Sequence, residues 1–102
     1  MTPGDIVLVS MPKRNGKTKK RPALILQRMR PFDDFLVCGI SSQLQMEVKG
    51  FDLILESSDE DFKATGLKKD SIVRLGYITT VSKTIVPGKI GKISSRQFKT
   101  LI

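Results

Sequence analysis

The sequence predicts a mainly β fold, a compact antiparallel barrel of five or six short strands with a short C-terminal helix. Short runs rich in β-branched and aliphatic residues recur along the chain and are separated by Gly, Pro and Asn-Gly turn signals. Helical periodicity is almost absent before the last residues. With 102 residues and a hydrophobic content of 39%, the chain suits a single core, and residues 1–102 are predicted to form one domain.

Three strands are predicted in the first forty residues, at Asp5–Ser10, Pro22–Arg28 and Phe35–Ile40. Asn15-Gly16, a strong turn signal, lies within the lysine-rich residues 11–20. This connection is longer than a two-residue hairpin turn, and we expect it to be mobile and solvent-facing.

The second half is predicted to hold the remaining strands and the helix. Residues 41–50 have an irregular pattern. The acidic run Ser57–Asp61, which follows the predicted fourth strand Phe51–Leu55, is typical of a short helical turn ended by Gly66. Ser94 and Gln97 have the spacing of a capping box, which opens a helix through Leu101. The predicted strands are Phe51–Leu55, Ser71–Leu75 with a continuation from Tyr77 to Val81, and Gly88–Ile93.

The net charge of +8 is unevenly distributed. Residues 1–30 carry eight Lys and Arg against one acid, residues 31–62 carry eight acids against one Lys, and residues 63–102 carry nine Lys and Arg against one acid. If the two ends of the chain meet in the fold, they form a basic face that attracts nucleic acid or another anionic surface.

Several classes of site are excluded by residue type. The chain has no histidine, so it has no histidine-based triad or histidine metal site. Walker and dinucleotide-binding glycine motifs are missing as well. The single Cys38, within an apolar run, allows no intrachain disulfide and suits a reducing cytoplasm. No run approaches the length of a membrane span.

Two short polar stretches remain as candidates for chemistry. In Lys19-Lys20-Arg21-Pro22 the proline restricts its neighbour to an extended conformation, so the arginine should project from a defined strand start and could hold a phosphate. Ser41-Ser42-Gln43 ends the third predicted strand with two hydroxyls and an amide. By themselves, the first stretch equally fits a solvated loop end, and the second fits side chains that cap their own turn.

Both stretches carry a resemblance to a known family. The chain resembles the MazF/PemK family of toxin endoribonucleases from type II toxin–antitoxin pairs. The similarity is carried in order by Gly4–Val9, Lys20–Leu26, Ile40–Gln43, Gly66–Arg74 and Lys89–Ser94. The resemblance implies an SH3-like barrel of the CcdB/PemK-like superfold, a symmetric homodimer in the cytoplasm, a cognate antitoxin partner, and no metal or other cofactor.

The resemblance also implies an activity and a site. The activity is sequence-specific cleavage of single-stranded mRNA by attack of a ribose 2′-hydroxyl, which leaves a cyclic phosphate and a 5′-hydroxyl end. Arg21 and Ser41 match the catalytic positions, although threonine is commoner in the family at the second. The predicted RNA-binding residues are Lys13, Arg14, Lys17, Lys19, Lys20, Ser42, Gln43 and Arg74.

One departure from the family leaves the general base unassigned. Some members carry an acid two positions beyond the arginine that matches Arg74, and this chain has Gly76 there. Arg74 itself could contact RNA or form a structural ion pair with Asp52 or Asp70. Two other functions stay open, a toxin that poisons a protein target as gyrase inhibitors do, and a non-catalytic SH3-like nucleic-acid-binding module.

Overall fold

The computed structural model describes residues 1–12, 15–32, 34–50 and 52–101. Its strands are β1 (Asp5–Pro12), β2 (Thr18–Met29), β3 (Asp34–Ser41), β4 (Leu53–Leu55), β5 (Ser71–Val81) and β6 (Lys89–Lys92), and its helix is α1 (Ser95–Lys99). Short 3-10 turns lie at Leu44–Met46, Lys63–Thr65 and Lys83–Ile85. In this part of the chain no helix has both the length and the apolar character needed to cross a bilayer.

The six strands form one antiparallel sheet in the order β4-β5-β3-β2-β1-β6. Register shifts interrupt three of its ladders, in β1, β2 and the pairing of β3 with β5. Bulges of this kind increase local twist and bend a sheet, and here the sheet is curled into a half-barrel. The predicted fold class, mainly β with five or six antiparallel strands and a short C-terminal helix, is confirmed, and the sheet has six strands.

Alternating side chains give the sheet two buried faces. One face carries a cluster that includes Val9, Ala23 and Val37, and Val86 from the segment after β5 packs against it. The other carries a cluster that includes Leu24, Cys38 and Val73. Since neighbouring residues of β2 and β3 are divided between the two clusters, a residue's position in its ladder determines which face its side chain joins.

The C-terminal helix docks on the second of these faces. The predicted capping box is present: Ser94 Oγ accepts from the Gln97 amide at 3.1 Å, and Gln97 Oε1 accepts from the Ser94 amide at 2.9 Å. Phe98 and Leu101 pack against the second cluster. An isolated helix of five residues is marginal in water, so this packing is what holds α1 in place.

The acidic run before β5 forms turns that join the sheet to α1. Asp59 Oδ1 accepts from the Asp61 amide at 2.8 Å, and Arg96 of α1 donates to Asp61 Oδ2 at 2.9 Å. Gly66 adopts a left-handed conformation, φ 72°, as predicted for the end of the helical turn. Gly91 of β6 lies so close to this turn that an added Cβ would overlap its backbone.

Several boundaries differ from the sequence prediction. β1 ends two residues later than expected and β2 begins four residues earlier, since Pro12 pairs with Thr18. The Thr-Lys-Lys-Arg start of β2 has no apolar alternation, so only the ladder with β1 reveals it as strand. Met46 lies in a 3-10 turn inside the stretch predicted to be irregular, and the predicted first residue of β4, Phe51, lies outside the described residues.

Candidate functional site

A basic hairpin projects past the end of β3. We define the hairpin arm as the paired segments Val9–Pro12 and Thr18–Arg21. The ladder between β2 and β3 begins only at Ala23 and Gly39, so the β2 half of the arm has a single neighbouring strand. Every residue from 17 to 21 is exposed. Residues 11, 12 and 18–20 of the expected loop are therefore strand, and the expected exposure to solvent is found for residues 15–20.

The strand ladder sets the direction of the Arg21 side chain. Arg21 pairs with Val9, and Pro22 pairs with Leu8. Because directly opposed residues share a face, Arg21 lies on the face of the first cluster, at its exposed margin. Pro22 has no amide to extend the ladder with β3, which fits the place where that ladder stops. Pro22 thus contributes by ending the ladder between β2 and β3, while the ladder between β1 and β2 orients Arg21.

The Arg21 guanidinium has no hydrogen bond or ion pair with any side chain in residues 1–12, 15–32, 34–50 and 52–101. An exposed, uncompensated guanidinium presents five N–H donors in a planar fork that matches phosphate geometry. The structure therefore leaves Arg21 available to an anionic ligand.

Ser41 is the last residue of β3. Ala23 and Gly39 form the last pair of the ladder between β2 and β3, and Arg21 and Ser41 each lie two residues beyond it, so alternation puts both side chains on the same face. Ser41 Oγ accepts from the Gln43 amide at 3.1 Å, so the turn-capping interpretation is confirmed. That bond uses an acceptor site of the hydroxyl and leaves its proton free to donate.

The other predicted contacts are distributed around this point. Ser42 and Gln43 are exposed directly after β3, and Lys17, Lys19 and Lys20 are exposed along the hairpin arm. Lys19 lies on the face of Arg21, while Lys20, which pairs with Ser10, lies on the opposite face. Lys13 and Arg14, at the tip of the arm, lie outside the described residues.

A bulge in β5 brings a second arginine to the same face. Gly39 of β3 pairs with Arg74, whereas the preceding Cys38 pairs with Ile78, so three residues of β5 are accommodated between the two pairs. Arg74 Cζ lies 5.7 Å from the centroid of the Tyr77 ring, a cation–π contact. Arg74 thus occupies the row of Ala23 and Gly39, one row from Arg21 and Ser41.

The ion pairs considered for Arg74 are not formed, since both candidate carboxylates are engaged elsewhere. Asp52 accepts from the Val48 amide at 3.0 Å and from the Leu75 amide at 3.2 Å. Asp70 accepts from the Ser57 hydroxyl and, at 2.7 Å, from the Ser57 amide, and these two bonds lower the pKa of that carboxyl. Through its own two bonds Asp52 connects the chain before β4 to the bulged part of β5, and it thereby stabilises the segment that carries Arg74.

A polar cleft of about 420 Å³ lies at the other end of β1. Its lining includes Asp5, which accepts from the Thr2 amide at 2.9 Å and lies 3.7 Å from Lys89 Nζ. Asp61, also in the lining, is hydrogen-bonded to Arg96, and this bond is the main reason that its pKa is lowered. Both carboxylates of the cleft therefore already have partners, and their contacts connect the two ends of the chain. The cleft is a weaker candidate for a binding site than the face that carries Arg21.

One residue at the basic face is missed by sequence reasoning. Tyr77 is half exposed, at 51%, and belongs to the bulge that carries Arg74. It is the only tyrosine in a chain without tryptophan, and the Leu-Gly-Tyr step within an apolar strand was a visible signal. Only the bulge, however, places its ring next to Arg74 and Gly39.

Comparisons with known proteins bear on the fold and the family of this chain. A solved structure of the Mycobacterium tuberculosis toxin MazF-mt6 superposes with a TM-score of 0.67 at 20% sequence identity, over 95% of this chain and 87% of that one. At this identity the likeness shows a shared fold. No curated protein sequence matches the chain. The family model for the PemK-like, MazF-like toxin of type II toxin–antitoxin systems matches residues 2–101. The chain therefore belongs to the PemK-like, MazF-like family of toxins of type II toxin–antitoxin systems.

Proposed function

We propose that this toxin is an endoribonuclease that cleaves single-stranded mRNA at a short sequence motif without a metal ion. The observation that carries the proposal is that the Arg21 guanidinium, which has no partner among the described residues, and the Ser41 hydroxyl lie on one face, each two residues beyond the last pair of the ladder between β2 and β3. Two groups of this kind suit a phosphodiester, which presents negative oxygens to both.

In the proposed reaction, the ribose 2′-oxygen attacks the adjacent phosphorus and the bond from phosphorus to the 5′-oxygen breaks. The 2′-hydroxyl loses its proton, and the departing 5′-oxygen gains one. The products are a 2′,3′-cyclic phosphate and a 5′-hydroxyl end. The phosphorane that forms between these steps carries more negative charge than the substrate, so fixed positive charge beside it lowers the barrier.

Arg21 is proposed to stabilise that charge. Its guanidinium stays protonated throughout the physiological range, and the ladder with β1 fixes the backbone that carries it. Ser41 is proposed to donate its proton to a phosphate oxygen, since its oxygen already accepts from Gln43. Gly76 stands where some relatives have an acid, and the proposed catalysis therefore depends on positioning and charge stabilisation.

The hairpin arm and the residues after β3 are proposed to bind the RNA around the cut. Lys17, Lys19 and Lys20 contact the backbone phosphates and give affinity that falls with salt, at about 0.7 of a log unit per neutralised phosphate for a single strand. Ser42 and Gln43, directly after β3, and Arg74 are proposed to contact base edges and the neighbouring phosphates. We assign Lys13 and Arg14 the same backbone-binding role from the sequence.

Two partner proteins complete the proposal. A cognate antitoxin, rich in acidic and apolar residues, would cover the basic face and block RNA. A second copy of the chain would form a homodimer, which is supported by apolar side chains that the sheet leaves uncovered, among them Ile78 at 49% and Ile85 at 47% exposure. The cytoplasm is the proposed compartment, where mRNA and reduced cysteine coexist.

The activity is tested by incubating the purified toxin with a mixed single-stranded RNA in excess EDTA and mapping the new ends. We expect cuts at a recurring short motif, each with a cyclic phosphate and a 5′-hydroxyl. Binding without new ends would support the alternative, a non-catalytic nucleic-acid-binding module, which the exposed basic arm also favours. Neither binding nor cutting, with inhibition of a gyrase supercoiling assay, would support a gyrase-poison-like toxin. Sedimentation of the free protein tests the homodimer.

A further inference from the structure

An exposed aromatic ring lies on the face that carries Arg21 and Arg74, and the proposed reaction gives this ring no role. Tyr77 lies on β5 beside Arg74, and 51% of its surface is exposed. Exposed single apolar residues are ordinary on protein surfaces. A ring held in one orientation at the margin of a predicted RNA groove is a different case, because such rings are what single-stranded nucleic acids stack upon.

The neighbours of Tyr77 fix the orientation of its ring. A Cβ built on Gly39 would lie 2.9 Å from Tyr77 Cδ1, so the edge of the ring occupies the space that any other residue at position 39 would fill. The Arg74 guanidinium lies over the ring. One edge of the ring lies against Gly39 and one face lies under Arg74, so these two contacts leave the opposite face and the outer edge uncovered.

The same ring lies next to the predicted catalytic pair. Gly39 is two residues before Ser41 on β3, so the two backbone positions are about 7 Å apart on the same face. Ala23, opposite Gly39, is two residues from Arg21. The ring therefore stands one row from the proposed phosphate position, which is within reach of a base attached to the ribose next to that phosphate.

We propose that Tyr77 is the base-stacking residue of the site: one RNA base lies on its open face and is thereby held beside the phosphate bound by Arg21 and Ser41. This inference rests on the proposed function and adds a residue to it. The Arg74 guanidinium keeps the ring in place through the cation–π contact, and its N–H donors are offered to the neighbouring phosphate. Stacking tolerates any base, so Tyr77 supplies affinity and positioning, while motif choice comes from other contacts.

The direct test uses the intrinsic fluorescence of the toxin. Tyr77 is the only tyrosine and there is no tryptophan, so emission excited near 280 nm reports this ring alone. The probe is a 2′-O-methyl oligonucleotide, which lacks the attacking hydroxyl and stays intact. The matched control is the same oligonucleotide with abasic sites, which keeps the phosphates and removes the stacking partner, and free tyrosine amide corrects for absorption by the bases.

We expect saturating base-containing oligonucleotide to quench the emission and the abasic control to bind with little quenching. Equal quenching by both, or binding without quenching, would overturn the stacking role. The readout is independent of cleavage. If the wild-type toxin does not cut RNA, the proposed activity fails, while the quenching result still decides whether a base stacks on Tyr77.

Two substitutions separate stacking from general packing. Tyr77→Phe keeps the ring, and we expect its KM to stay within about twofold of the wild type. Tyr77→Leu keeps apolar bulk beside Gly39 and removes the π face, and we expect KM to rise about 5- to 150-fold, the range measured for lost stacking aromatics, with kcat little changed. Far-UV circular dichroism checks that both variants fold. Wild-type KM in Tyr77→Leu, or an equal loss in both variants, would contradict the inference.

Discussion

Replacing Arg21 by alanine is the substitution that most directly tests the proposed catalysis. The guanidinium is exposed and has no hydrogen-bond or ion-pair partner among the described residues, so its removal leaves no buried group unpaired. We therefore expect Arg21→Ala to change the free energy of unfolding by no more than about 0.5 kcal/mol. The ladder that holds this part of β2 is made by backbone atoms and survives the change.

The expected effect on the reaction is far larger. Loss of one preorganised donor to a developing oxyanion costs about 2.7–4 kcal/mol, or about 10²–10³ in kcat. Arg21→Lys retains the charge without the planar fork, so it should recover part of the loss. The assay is single-turnover cleavage of a fluorescent single-stranded RNA at saturating toxin, with urea unfolding of each variant in parallel.

Two lysine variants serve as controls for the loss of one positive charge. Lys68 is exposed in the turn before β5 and has no proposed role, so Lys68→Ala should cut like the wild type. Lys20 is proposed to contact a backbone phosphate, so Lys20→Ala should raise KM and reduce the salt slope by about 0.7. Because Lys20 lies on the opposite face of the hairpin arm from Arg21, its removal should leave kcat unchanged. Wild-type kcat in Arg21→Ala, or an equal loss in Lys68→Ala, would refute the assignment of Arg21.

Three further predictions concern stability. An added methyl at Gly91 overlaps the backbone of the neighbouring 3-10 turn, so Gly91→Ala should lower the free energy of unfolding by about 1–3 kcal/mol in urea titrations; Gly88→Ala, where no atom lies within 4 Å of an added Cβ, is the matched control and should lose much less. The hydrogen bond from Arg96 lowers the pKa of Asp61 below 3.8. The contribution of the ionised carboxylate to the free energy of unfolding is therefore complete above that pH and is lost as the pH falls through the folded-state pKa. Asp61→Asn should unfold with a shallower acid dependence, and an unchanged acid profile would contradict the contribution of this pair. Burial raises the pKa of the Cys38 thiol from 9.0 to about 12. The contribution of the protonated thiol to the free energy of unfolding is therefore complete below pH 9 and declines above it, by up to about 1.4 kcal/mol per pH unit. Cys38→Ala should remove this decline, and identical slopes of stability against pH in both proteins between pH 9 and 12 would refute the prediction.

Local sequence patterns predicted most of the strands and the end of the chain. Alternating β-branched residues mark β1 and β3, because period-two patterning is needed wherever one face of a strand is buried. The capping box at Ser94 and the left-handed Gly66 were also predictable, since both satisfy backbone groups within a few residues of themselves. The extension of β2 back to Thr18 was not, because its polar residues are strand only through their pairing with β1.

The candidate site divides in the same way. Motif resemblance singled out Arg21, Ser41 and Arg74, since residue type and a neighbouring proline or strand end are properties of the chain itself. It left open whether Arg74 pairs with a carboxylate, and it gave no role to Tyr77. Both questions depend on the bulge between β3 and β5, which sets Arg74 and the Tyr77 ring against the same glycine.

The sequence by itself therefore determined the strand-rich fold, the family and the chemical groups that could meet a phosphate. The tertiary structure decided which of those groups share a face. Ladder register decides this, because a shift of one residue moves a side chain to the other side of the sheet. Here the register places Arg21 and Lys19 on one face and Lys20 on the other, and it brings Gly39 of β3 together with Arg74 and Tyr77 of β5.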